Sequence, residues 1–214
     1  HLIAINKKSS QIVQPDKTGD LSLDQQVMDY IIKKDPSSGN IHPGIIHRID
    51  RRVSGVVLFA VTQEALTGMN RLFREGRVRK IYWAITGKIP AEESGRLDHF
   101  LKKNEKSNKS YAFREPVKGA KPASLIYKVI SRSERYYLIE IELLTGRHHQ
   151  IRCQLASIGC PVRGDLKYGF PRSNKDGSIS LHARSLSFIH PVKNEPVSII
   201  APVPEDNLWR AITR

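Results

Sequence analysis

The spacing of apolar residues changes several times along the chain, and each change predicts an element. Residues 2–6 read as a short strand, and residues 14–20, with Pro15 and Gly19, as a turn region. Leu23, Val27, Tyr30 and Ile31 recur at helical spacing and predict a helix over 22–33. Asp35, Pro36, Ser37, Ser38 and Gly39 then form a loop. From Val56 to Val61 the apolar run is unbroken, the pattern of a buried strand, and Thr62 caps a helix over 63–75. Leu66, Met69, Leu72 and Phe73 make the apolar stripe of that helix, and Gly76 ends it.

In the second half the period is mostly two. Ile81 and Trp83 alternate with Tyr82 and Ala84 in a strand over 79–86. Leu125, Tyr127 and Val129 mark a strand over 124–130. Over 136–144, Tyr137, Ile139, Ile141 and Leu143 oppose Glu140 and Glu142, so the two strands predict an antiparallel hairpin. Residues 95–123 are the least periodic and read as an exposed loop or short hairpin. Thr145 is the expected N-cap of a helix over 147–158, with Ile151, Leu155 and Ile158 buried and Gly159 and Pro161 at its end. Strands over 179–189 and 196–201 precede a helix over 205–212. Strands outnumber helices and connections are short, which predicts an α+β protein with a largely antiparallel sheet, one domain over 1–214.

Charge adds a partner class. The net charge is +14, and a polyanion is the natural partner for such an excess. Lys102, Lys103, Lys106, Lys109, Lys118 and Lys121 crowd the aperiodic region, which is either an RNA contact or a solvated loop. An acidic membrane surface competes poorly, because no long basic amphipathic helix is present. No apolar run approaches the ~18 residues that span a bilayer. Asn6, Lys7 and Lys8 interrupt the start too soon for a signal peptide. Cys153 and Cys160 make neither a disulfide framework nor a zinc pair, so a reducing cytoplasm is expected. The first residue is His, which leaves room for an upstream segment.

The candidate chemistry centres on HPGIIHRIDRRVSGVVLFAVT, residues 42–62, where Asp50 lies between Arg48 and the pair Arg51–Arg52. An acid among arginines can be no more than a surface ion-pair cluster. Its wider context decides otherwise. HRIDRRVSG (47–55), RKIYWAITG (79–87), TGRHHQIRCQLASIGCPVRGDLKYG (145–169) and LHARSLSFIHP (181–191) resemble, in order, four blocks of the RluA family of pseudouridine synthases. Val53 and His148 stand where that family carries Thr, Cys160 where His is common, and Lys8 where Pro is frequent.

The resemblance implies a mixed, mainly antiparallel sheet with flanking helices and a central active-site cleft. It implies uridine isomerisation in structured ribosomal or transfer RNA without a cofactor or metal, in a chain lacking the N-terminal RNA-binding domain of many relatives. Asp50 is then the catalytic aspartate, Arg147 its arginine partner, Tyr82 the residue against the target base and Ile151 an apolar contact beneath the site. His47, Arg48, Arg51, Arg52, His149, Gln150 and Arg152 are expected to contact RNA phosphates or to hold the two loops together. Side chains of adjacent helical residues diverge by ~100°, so His148 and His149 are not expected to share a metal ion. A monomer with no obligatory protein partner is expected. The competing reading is a catalytically inactive, basic RNA-binding or assembly factor on the same scaffold.

Overall fold

The computed structural model describes residues 1–36 and 42–214, so the loop expected over 35–39 falls mostly outside the described residues. The chain enters on β1 (Leu2–Lys7) and α1 (Leu23–Lys34), passes β2 (Gly44–Ile45), and reaches β3 (Ser54–Ala60). β3 is the expected apolar run, and all 7 of its residues are buried. There follow α2 (Gln63–Arg74), β4 (Arg79–Thr86), β5 (Ser94–Asn104), β6 (Lys109–Phe113), β7 (Lys121–Arg132) and β8 (Tyr137–Leu143). The last part holds α3 (Gln150–Ser157), a single 3-10 turn (Leu166–Tyr168), β9 (Leu181–Ile189), β10 (Pro196–Ile200) and α4 (Asn207–Ile212).

The strands form one 10-stranded sheet in the order β1-β3-β9-β4-β8-β7-β5-β6, with β10 added to β9 and β2 to β3. Its ladders are antiparallel except β3 on β9, which is parallel and short. This is the expected mixed, mainly antiparallel α+β arrangement. Gly55 allows the parallel crossing. Its φ is +116°, and a Cβ there would lie 2.3 Å from the Ala183 carbonyl oxygen on β9.

Each helix covers one part of the sheet through its apolar stripe. Ala65, Met69 and Leu72 of α2 pack on Val56, Leu58 and Leu186, while Ile151 and Leu155 of α3 pack on Leu125, Ile139 and Ile141. Thr62 caps α2 by accepting from Ala65 N, as its sequence position predicts.

Three expectations need revision. Tyr30 is 55% exposed, so the stripe of α1 narrows to Leu23, Val27 and Ile31. Residues 95–123 are neither loop nor short hairpin throughout: the 11 residues of β5 pair with both β6 and β7. Of β5 only Leu101 is buried, and the half-buried positions on the same face, Gly95, Leu97 and His99, include one large apolar residue, too weak a pattern to betray the strand. Finally, α3 begins at Gln150 rather than 147, because His149 sits in the left-handed region at φ 52° and breaks the helical path before it.

Candidate active site

Asp50 lies in the loop that delivers the chain into β3. Its carbonyl accepts from Val53 N at 3.0 Å, and the neighbouring Arg51 carbonyl accepts from Ser10 N at 2.9 Å. Lys7, the last residue of β1 and 0% exposed, fastens the same loop from inside. Its ammonium donates to the carbonyls of Lys8 (3.0 Å), Gln11 (2.8 Å) and Arg51 (3.0 Å). Burial lowers the Lys7 pKa to about 8, against the opposing pull of the Asp50 charge.

The Asp50 carboxylate, one third exposed, is held by Arg152 and not by Arg147. Arg152 Nη1 donates to Asp50 Oδ2 at 2.8 Å. The other edge of the same guanidinium grips Asp165, with Nε at 2.6 Å and Nη2 at 2.9 Å. Burial opposes the Arg152 charge, but its hydrogen bonds to Asp165 and the charges of Asp165 and Asp50 outweigh that, and its pKa is raised. Arg152 (side chain 7% exposed) and Asp165 (1%) thus form a buried support for the carboxylate. Arg147 is exposed in the turn before α3, where its Nε donates to the Pro122 carbonyl at 2.9 Å. The pairing expected of Arg147 is made by Arg152, whose burial and bonds to Asp50 and Asp165 fit the second of its two expected roles, holding the loops together.

A second group faces Asp50. His149 Nε2 is 3.5 Å from Asp50 Oδ2, and His149 Nδ1 is 3.1 Å from the Tyr168 hydroxyl. That hydroxyl accepts from Ser110 N at 2.8 Å, so its one proton is free to go to Nδ1. Where the hydroxyl donates to Nδ1, the ring proton lies on Nε2, the nitrogen nearest the carboxylate. Burial first, then the Arg152 charge among others, lower the His149 pKa to about 3, although the Asp50 charge opposes them. His149 is accordingly a neutral imidazole close to the Asp50 carboxylate. Contrary to the divergence expected of helical neighbours, the His148 and His149 rings stack at 3.8 Å, because neither residue is helical.

Asp50 opens into a cavity of about 630 Å³ whose lining includes Tyr82, Ile151, His47, His149, Arg48 and Arg147. Tyr82 comes from β4 and is half-buried; burial and then the Asp50 charge raise its pKa, so the phenol stays protonated. Ile151 is buried within the core cluster under the cavity. Arg48 is exposed at the cavity. Arg51 and Arg52 are exposed outside it, and Arg51 pairs with Asp20 at 2.5 Å. Gln150 is 3% exposed and spent within the protein: Oε1 accepts from Thr145 Oγ1 (2.8 Å) and Arg147 N (2.9 Å), and Nε2 donates to the Ser124 carbonyl. The hydroxyl expected to cap α3 instead anchors this turn. His47 Nε2 accepts from Leu58 N at 3.1 Å and its ring stacks on Phe73, so it pins the Asp50 loop to β3.

Burial, reinforced by the Lys80 charge, lowers the His47 pKa to about 4, and burial likewise lowers that of His182 on β9 to about 4. Both imidazoles are neutral in the fold, whereas the unfolded chain takes up their protons near the ordinary value. Their contribution is therefore complete above about pH 6.5 and is lost below it, by about 2 kcal/mol for the two together between about pH 6.5 and 5.5. Thermal melts over that range should show a falling midpoint; a flat profile contradicts neutral burial of these rings.

Sequence reasoning missed Lys7, Asp165 and Tyr168. Asp165 and Tyr168 lie inside a quoted block, but nothing in residue order marks them as partners of residues some 13 to 19 positions earlier. Lys7 had a faint signal, a charge ending an apolar strand pattern.

Residues 1–157 match the family model for RNA pseudouridylate synthase. The chain is 31% identical over 216 residues to ribosomal large subunit pseudouridine synthase D of Zymomonas mobilis, covering 96% of this chain and 68% of that one. It is 30% identical over 234 residues to tRNA pseudouridine synthase C of Vibrio parahaemolyticus, covering 99% and 90%. Among solved structures, human RNA pseudouridylate synthase domain containing 4 is similar, with a TM-score of 0.75 and 25% identity over 95% of this chain and 86% of that one. Several other curated relatives are longer, and the chain spans 63% to 69% of their length.

Proposed function

The chain belongs to the RNA pseudouridylate synthase family, of the RluA type, and from that premise we propose that it isomerises uridine to pseudouridine in structured ribosomal or transfer RNA. The observation that carries the proposal is the Asp50 carboxylate at the cavity floor, held by one edge of Arg152 and facing the same space as Tyr82. Isomerisation breaks the bond between the ribose C1′ and base N1 and makes one from C1′ to C5. The proton at C5 is lost, N1 gains one, and no oxidation state changes.

That chemistry asks for a fixed carboxylate and a wall against which a detached base can turn. Arg152 fixes Asp50 by a hydrogen bond, and the neutral His149 ring stands 3.5 Å from the carboxylate without adding a charge. Tyr82 supplies an aromatic face for the extruded base, whose unstacking costs only a few kcal/mol in a looped nucleotide. Asp50 is the one carboxylate lining the cavity among the described residues, and it acts there as nucleophile or as base. The exposed Arg48, Arg51, Arg52 and Arg147 and the net charge of +14 supply the attraction for the RNA backbone. The protein acts as a monomer, in the cytoplasm, with RNA as its sole necessary partner. No helix among the described residues is long and apolar enough to cross a membrane.

RNA carrying tritium at uridine C5 tests the proposal, because the label leaves as each C1′–C5 bond forms. Release from ribosomal or transfer RNA made without modification is the expected result. RNA binding with no release from either pool replaces this reading with that of an inactive binding or assembly factor.

A further inference from the structure

Two lysines are buried in this protein, and they differ in one respect. Lys7 is 0% exposed and satisfied by three carbonyls. Lys80 is 9% exposed; among the described residues no hydrogen bond or ion pair of its ammonium is seen, and that atom is not among the fully buried ones, so it is left to the solvent of the cavity that Lys80 lines. A largely buried cation that keeps only its tip in a cavity, with no partner from its own chain, is placed to meet an anion entering that cavity.

Strand geometry says where that something would sit. On β4, Lys80 and Tyr82 share a face and both line the cavity. The opposite face is self-contained: Arg79 donates to Glu142 at 3.0 Å and Trp83 Nε1 to Glu140 at 3.1 Å. Lys80 also lines a second groove of about 240 Å³, which shares Gly76, Lys80, Leu143 and Leu144 with the cavity and includes Arg77 and the Arg79–Glu142 pair. Lys80 thus stands at a junction between a chamber large enough for one nucleotide and a groove leading away from it, in which Arg79 is already paired with Glu142. Burial lowers its pKa, with no neighbouring charge to oppose the effect.

We propose that Lys80 is an anion site that takes the phosphate attached to the nucleotide occupying the cavity. The inference rests on the isomerase reading for the identity of that nucleotide, but its test does not use turnover. A base in the chamber and a chain running along the groove put a phosphate at their meeting point, where Lys80 is the buried donor. The site selects for a nucleotide over a nucleoside, and it holds the substrate in register while the base is detached.

The test compares uridine 5′-monophosphate with uridine, following the side-chain NMR signal of Lys80 and assigning it by its loss in Lys80→Met. The monophosphate should shift that signal and bind about tenfold or more tightly than uridine, as expected for one charge-assisted hydrogen bond in a desolvated place. In Lys80→Met the preference should fall to near unity, and Lys80→Arg should restore most of it. The melting temperature of Lys80→Met should not fall, since no hydrogen bond is lost and the stem is replaced by an apolar chain of similar length. A purely structural lysine gives the reverse: a lower melting temperature with the phosphate preference intact, and that result overturns the proposal. An unmoved Lys80 signal at saturating monophosphate overturns it equally. If tritium release fails while the preference is lost in Lys80→Met, the phosphate site stands and the isomerase reading falls.

Discussion

Asp50→Asn should release no tritium above background from C5-labelled RNA, while binding that RNA within about twofold of the parent. Asparagine keeps the shape of the side chain and can still accept from Arg152 Nη1, so the loop geometry survives. What is lost is the carboxylate's ability to add to a carbon or take a proton. Loss of a lone nucleophile or base of this kind reduces turnover by roughly four orders of magnitude or more. Stability should change little, because the bidentate grip of Arg152 on Asp165 is untouched. Replacing one charge-assisted hydrogen bond by a neutral one costs about 1 kcal/mol, or a few degrees in melting temperature for a chain of this size. Turnover retained in the variant would remove Asp50 from the mechanism altogether.

Arg152→Met should fail in two measurable ways at once. Asp165 is 1% exposed, so removing its guanidinium strands a buried carboxylate. Breaking such a pair by deleting one member costs about 3–5 kcal/mol, which lowers the melting temperature by about 10 °C. Turnover should collapse as well, since Asp50 loses the group that aims it. The double variant Arg152→Met/Asp165→Leu separates the effects: with neither charge left, stability should return toward that of the parent while activity stays absent. Arg147→Ala supplies the contrast, with near-normal turnover at saturating RNA and an elevated KM. If Arg147→Ala is the dead variant and Arg152→Met the active one, the assignment drawn from the geometry is reversed.

That assignment shows where residue order stops being informative. The buried strand 55–61, the Thr62 cap, the Glu140/Glu142 alternation and the antiparallel hairpin follow from periodicity, because burial on one face imposes it. Asp50, Tyr82 and Ile151 came from the block resemblance, and the structure brings them to one cavity. Arg147 and Arg152 belong to a single block, five positions apart, and choosing between them requires the direction in which α3 sets out. That direction is set by a positive φ at His149 and by the Gln150 side chain bonded back to Thr145 and Arg147, neither of which leaves a trace in hydrophobic pattern. Lys80 was legible in principle: it lies two positions from Tyr82 on the buried side of an alternating strand, where a charge is out of place. A short hairpin is one of the two readings the sequence allows for 95–123, and β5–β6 is such a hairpin. The full length of β5 was not legible, since its more buried face, Gly95, Leu97, His99 and Leu101, carries too few apolar residues to show a period.

The position of β9 has a consequence for biosynthesis. It is made after nearly all of the sheet, yet it lies between β3 and β4 near the middle of the strand order. Until the ribosome has extruded residue 189, two interior edges stand open and the halves that bear Asp50 and Tyr82 are not joined through backbone. Closure of the chamber therefore waits for β9, and a nascent chain stalled before it presents open strand edges in place of a closed site.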